Sequence, residues 1–190
     1  MKTIKRMLVV VFMLTIVTGY SNEVEKDPIR NITTFRFLNA KKGHQVSIVD
    51  ANGNVIHREI VERNGQYMQR FDLTNLKDGL YTIELNKDFE IVIKPFKMTS
   101  NEVVFLKSKE KTVYKPVVRT EKNLLMISQL ALNKEPLKIE LYYNDVLIHK
   151  DVLGDATILE RVYNLSKTEK GSYKLKMTSG SKSYIERFNI

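Results

Sequence analysis

The chain has 190 residues, 31 Lys and Arg against 22 Asp and Glu, a formal charge of +9, and no cysteine. The missing thiols exclude disulfides and a lipid-anchored cysteine, and they leave a transition metal few ligands to choose from. With only four prolines and eight glycines, the composition is that of a folded chain rather than a disordered one.

Lys2, Lys5 and Arg6 open the chain, followed by an apolar run from Met7 to Leu14 that resumes at Ile16 and Val17. Thr18, Gly19, Tyr20 and Ser21 close it. A charged head, a short apolar middle and a small-residue exit make a secretory signal peptide. The run is also shorter than the ~20 apolar residues of a membrane span. The expected organisation is a signal peptide over 1–21, a first β-sandwich over 22–106 and a second over 107–190. The expected location is exported: periplasm, outer surface or extracellular, with no transmembrane segment in the mature form. Residues 22–106 hold 12 Lys and Arg and 12 Asp and Glu, whereas 107–190 hold 16 and 10. The basic excess of the mature chain therefore belongs to the second half.

Beyond the signal the apolar residues alternate with period two, the mark of strands. Segments 34–37, 46–48, 67–73, 80–85 and 89–96 read as strands in the first half. Segments 124–132, 137–143, 146–152, 158–165, 172–177 and 183–188 do so in the second. Asn52-Gly53 and Asn144-Asp145 supply turn chemistry, and Asn-Gly favours the positive φ of a tight hairpin. Between the halves, 103–106 and 113–114 have strand character. The solvated run Lys107-Ser108-Lys109-Glu110-Lys111 reads as the linker.

The two halves are related. Val55-Ile56-His57-Arg58-Glu59-Ile60 aligns with Leu147-Ile148-His149-Lys150-Asp151-Val152 at an offset of 92. At the same offset Phe71, Gly79, Tyr81, Ile83, Leu85 and Phe96 meet Tyr163, Gly171, Tyr173, Leu175, Met177 and Phe188. Register kept over some forty residues, with turn glycine and aromatic preserved, indicates two copies of one unit, each closing its own core. The fold class expected is all-β: two tandem immunoglobulin/fibronectin-III-like sandwiches after a signal peptide.

In Leu73-x-x-Leu76-x-x-Gly79-x-Tyr81 the leucines cap the core and glycine admits a sharp entry into the next strand. Tyr81 then sends its hydroxyl back to the backbone: a tyrosine corner. Tyr173 takes the same place in the second copy. At these residues the chain resembles immunoglobulin/fibronectin-III-like domains of exported bacterial proteins. It is especially similar to the C-terminal sorting domain family of type IX (Por) secretion. The resemblance rests on Ile48, Asp50, Gly53 and Val55, on 72–81, and on Ile91-Val92-Ile93-Lys94. It implies an exported protein, either a substrate of that apparatus or an accessory to it. The better match is internal, and the 184–190 segment lacks a lysine-rich finish, which favours a small secreted protein built from such domains over a cargo carrying one.

No catalytic constellation is legible. The three histidines, His44, His57 and His149, are not at ligand spacing, and the last two are repeat equivalents, so their role is structural. Asp50-Ala51-Asn52-Gly53-Asn54 begins like a calcium loop, but Val55 and Val61 stand where glycine and a bidentate glutamate belong. The expected function is a non-enzymatic binding or structural module with no catalytic residue, no cofactor and no metal. The expected partner is a protein, glycan or envelope component, anionic if charge drives the contact, with nucleic acid not expected. Lys107, Lys109, Lys111, Lys174, Lys176 and Lys182 are the candidate polyanion contacts. A third role is strand addition at an exposed sheet edge.

Overall fold

A computed structural model describes residues 26–27 and 32–190. The signal-peptide expectation lies outside the described residues. These residues form antiparallel sheets joined by turns, with one 3₁₀ turn at Lys107–Lys109. Among them no helix is long and apolar enough to cross a membrane.

In the N-terminal half β1 (Lys26–Asp27), β2 (Ile32–Ala40) and β5 (Gly65–Asp72) make a three-stranded sheet in the order β1-β2-β5. A second sheet runs β4-β3-β6-β7, from β3 (Gln45–Asp50), β4 (Val55–Ile60), β6 (Gly79–Asn86) and β7 (Glu90–Thr99). Phe35 and Phe37 of the first sheet and Val46, Ile48, Ile83, Leu85 and Phe96 of the second are buried in one cluster. The alternation read in the sequence therefore points one face of each sheet into a shared core.

The C-terminal half repeats the plan. β10 (Val117–Glu121), β11 (Leu124–Leu130) and β14 (Ile158–Asn164) form one sheet. β12 (Leu137–Tyr143), β13 (Val146–Leu153), β15 (Ser172–Ser179) and β16 (Lys182–Asn189) form the other, in the order β13-β12-β15-β16. A separate core gathers Leu125, Ile127, Ile139, Leu141, Tyr173, Leu175 and Met177.

The repeat offset holds at 92 except in β3 and β12. Ile48 stands opposite His57, and Leu141 opposite His149, so here it becomes 93. The cause is the hairpin. In the first half Val49 pairs Val55 across a loop of residues 50–54. In the second Tyr143 pairs Val146, and Asn144 and Asp145 both have positive φ, 48° and 61°. That is the geometry of a two-residue primed turn. The Asn52-Gly53 turn is thus not the tight one. Its loop is organised by the Asp50 carboxylate, which accepts from the backbone N–H of Asn52 (2.9 Å) and of Asn54 (2.8 Å) and from Asn54 Nδ2 (2.9 Å).

The run read as the linker lies beside paired strands. β8 (Glu102–Phe105) pairs with the C-terminal part of β7, and β9 (Lys111–Tyr114) with its N-terminal part. The 3₁₀ turn between them loops past Pro95, whose carbonyl accepts from Leu106 N (3.0 Å). Lys107–Lys111 therefore lies within an interrupted edge strand of the N-terminal half. Phe105 packs on Phe35, ring centroids 5.3 Å apart, which seats the segment on the core. Contacts with the first half continue to Lys115, whose N–H donates to the Phe89 carbonyl (2.9 Å).

Candidate functional site

The two tyrosines occupy the same local geometry. The Tyr81 hydroxyl donates to the Lys77 carbonyl (2.8 Å), and that of Tyr173 to the Glu169 carbonyl, each four residues upstream. Tyr81 stacks on Phe96 and Tyr173 on Phe188, with centroids 5.5 and 5.6 Å apart. Tyr173 is 2 % exposed, whereas Tyr81 is only half-buried. The glycines two residues before them are not equivalent. Gly171 has φ +149°, and a Cβ there would stand 3.0 Å from the Tyr143 ring. Gly79 would meet only ordinary contacts.

The histidine pair is equally duplicated. His57 meets the edge of Phe71, and His149 that of Tyr163, both with centroids 5.2 Å apart. Each ring bridges the two sheets of its own half. Among the described residues no group of three or more His, Cys, Asp or Glu side chains stands together as a metal site.

The six lysines proposed as polyanion contacts come from both halves, and Lys111 and Lys182 line the same cleft. Lys107, Lys109 and Lys111 are exposed on the edge segment of the N-terminal half. Lys174, Lys176 and Lys182 belong to the C-terminal half, and each is already paired. Lys174 meets Asp145 and lies over the Tyr142 ring at 4.7 Å. Lys176 meets Glu140 (3.1 Å), whose carboxylate Lys150 also approaches (3.6 Å). These contacts hold the Asp145 and Glu140 carboxyls below their usual range and raise Lys176. The sequence shows charge but not its neutralisation, which depends on cross-strand partners.

What the sequence did not indicate is a cleft of about 960 Å³ between the halves. One wall is the outer face of the β3-β6-β7 sheet, with Ser47, Val49, Glu84, Ile91 and Ile93. The other is the beginning of β16, from Lys182 to Glu186, with Val117 and Glu135. Among the described residues, Val49, Ile91 and Ile93 are the buried apolar side chains that belong to neither core. The signal for them was available: Ile91-Val92-Ile93 is an unbroken apolar run, as expected of a strand covered on both faces.

Several contacts tie the halves at this cleft. Lys182 Nζ reaches Glu84 Oε1 at 2.7 Å. Gln129 stands where the repeat has Phe37, buried, and its Nε2 donates to the Tyr114 carbonyl (2.8 Å). The β15–β16 turn brings Gly180 against Glu135. A Cβ at Gly180 would meet the Glu135 carboxylate, the end of a side chain that can swing aside, and φ is +54°, so glycine is favoured there. The Tyr184 hydroxyl is buried and finds no hydrogen-bond partner among the described residues. Burial, with Glu84 and Glu135 nearby, pushes it up to about 12.

Residues 27–97 match the family profile of the secretion system C-terminal sorting domain. The match runs from β1 to within two residues of the end of β7, and so takes in strands of both sheets of the N-terminal half without its added edge. No curated protein matches the chain.

Proposed function

We propose that this is an exported, non-enzymatic binding or structural module, built from two tandem fibronectin-III-like units of which the first is of the sorting type. One observation carries the reading: the segment matching the sorting domain takes in strands of both sheets of the N-terminal half, and the same strand order recurs from β10 to β16. A three-stranded sheet facing a four-stranded one, with a tyrosine corner at entry to the penultimate strand, is the immunoglobulin-type plan. The residues at 1–21 have the composition of a signal peptide, consistent with export. The family match also favours a second reading, a substrate of type IX secretion whose sorting-type unit is read by the apparatus. In the N-terminal half the outer edge of β7 is paired and the outer sheet face is turned to the other half. That arrangement suits a retained unit better than a terminal tag.

The test is expression in a bacterium that carries the type IX apparatus and in its apparatus-deficient mutant, followed by fractionation and intact-mass analysis. The module reading expects an exported form containing both units. Loss of the second unit from a form released only by the apparatus would support sorting instead. Cytoplasmic retention in both strains would overturn both readings.

A further inference from the structure

β7 and β16 are repeat equivalents, but they differ in what lies beyond them. In the β15–β16 ladder Gly171 and Ile190 exchange both backbone hydrogen bonds (3.1 and 3.2 Å). Antiparallel pairs alternate between bonded and non-bonded, so Phe188, Glu186, Tyr184 and Lys182 are bonded to β15. Ser183, Ile185, Arg187 and Asn189 therefore turn their N–H and C=O groups to the outer edge. Their equivalents on β7 are Ile91, Ile93, Pro95 and Lys97. That edge is occupied: Ile91 and Ile93 lie in the register of β9, Lys97 in that of β8, and the Pro95 carbonyl accepts from Leu106. Among the described residues no strand pairs the outer edge of β16.

We propose that the cleft between the halves receives an extended polypeptide segment in which short polar and apolar stretches follow one another, and which pairs with the free edge of β16 as an added antiparallel strand. This stands apart from the reading on export. The occupant is specified by the molecule itself, because Glu102–Tyr114 shows what the same edge accepts in the first half: two short extended pieces, Glu-Val-Val-Phe and Lys-Thr-Val-Tyr, each polar at its start and apolar at its end. The cleft gives such a strand room and an apolar wall, since Ser183–Glu186 line it opposite Val49, Ile91, Ile93 and Val113. Ile185 is 52 % exposed, so the edge can be reached. Main-chain pairing supplies the affinity in this mode, and alternate side chains the selectivity.

The probe is a fluorescein-labelled synthetic peptide with the sequence of Glu102–Tyr114, titrated against the whole protein by fluorescence anisotropy, with amide hydrogen exchange read at the saturated point. The expected result is saturable binding with slowed exchange at Ser183, Ile185 and Arg187. Ile185→Pro removes one outward donor and leaves the β15 ladder intact, as Pro95 does in β7. It should weaken binding at least tenfold. A peptide N-methylated at alternate residues should not bind, and this control leaves the protein unaltered should the proline variant fold poorly. Absence of binding, equal binding of the N-methylated peptide, or protection at β7 instead of β16 would overturn the proposal. Concentration-dependent protection of β16 without peptide would overturn it too, assigning the edge to a second copy.

Discussion

Lys182 Nζ lies 2.7 Å from Glu84 Oε1 and joins strands 98 residues apart in the chain. Both side chains are largely withdrawn from solvent, 23 % and 13 % exposed, and they sit beside the buried Tyr184 hydroxyl at one end of the inter-half cleft. An ion pair in that setting fixes an orientation more than it adds stability. Its own desolvation offsets much of the attraction, and removing one partner strands the other.

Lys182→Met should therefore loosen the halves relative to one another while leaving both cores folded. The cost should be about 1–2 kcal/mol, less than for a fully buried pair because water still reaches both groups. Small-angle scattering should show a larger radius of gyration, and Glu84→Gln should do the same. Profiles identical to the parent would mean that Gln129 and the Lys115-Pro116 connection hold the arrangement unaided.

Tyr81→Phe and Tyr173→Phe separate the two corners. Each removes a hydroxyl and keeps a ring, so packing changes little. Tyr173 is buried, and the Glu169 carbonyl would lose a partner that water replaces poorly, at a cost of about 1–3 kcal/mol. Tyr81 is half-buried with its bond near solvent, so its loss should be smaller, at about 0.5–1 kcal/mol. Urea midpoints measure both, and a larger loss at Tyr81 would refute the argument from exposure.

Much of this fold was legible because β-strands write their buried face every second residue. The β2, β3, β6, β7, β11, β12 and β15 alternations, the His57/His149 equivalence and the Tyr81/Tyr173 spacing were all readable. The β8–β9 edge was not read as part of the first half, because Lys107-Ser108-Lys109-Glu110-Lys111 has the composition of a solvated linker. An edge strand needs no apolar outer face, and charged residues on it discourage unwanted pairing. The cleft was missed for a different reason. Its walls come from β3, β6, β7 and β16, and only the tertiary arrangement brings Glu84 to Lys182.

The attachment of residues 107–114 to the first half can be tested with fragments. Residues 22–114 should form a more stable species than 22–106, because truncation at Leu106 strips β9 from β7 and bares the backbone of Ile91 and Ile93. Exposed edges of this kind template pairing with other chains, so 22–106 should also self-associate in sedimentation experiments. Equal denaturant midpoints and equal monomeric behaviour would return 107–114 to the linker.

Electrostatic binding should follow unpaired charge and not total charge. Lys107, Lys109 and Lys111 make none of the ion pairs seen among the described residues, whereas Lys174, Lys176 and Lys182 all do. On a heparin column, changing the first three to alanine should lower the salt needed for elution. Changing Lys174 and Lys176 should matter less, since each is already engaged by a carboxylate, Asp145 and Glu140. The reverse order would restore the second half as the polyanion face.

Acid should weaken the protein through a set of carboxylates whose folded-state values lie below the ordinary ones. Asp151 is held down by the Tyr163 hydroxyl, which donates to Oδ2 at 2.8 Å, with Arg161 Nε also at 2.9 Å. Asp50 and Asp72 are held down by Asn54 and Thr74 in their turns. Where the folded value is depressed, the unfolded chain takes up protons first as pH falls. The stability these groups contribute is whole above the ordinary value near 3.8 and is lost as pH falls through it towards the folded value. Asp151→Asn makes the effect specific, because the amide oxygen can still accept from Tyr163 but carries no charge. The variant should be less stable than the parent at about pH 7, and the gap should narrow as pH falls below the ordinary carboxylate value and the parent's carboxylate is neutralised. Urea midpoints across that range decide the matter: a gap as wide in acid as at neutrality would show that Asp151 contributes by shape and not by charge.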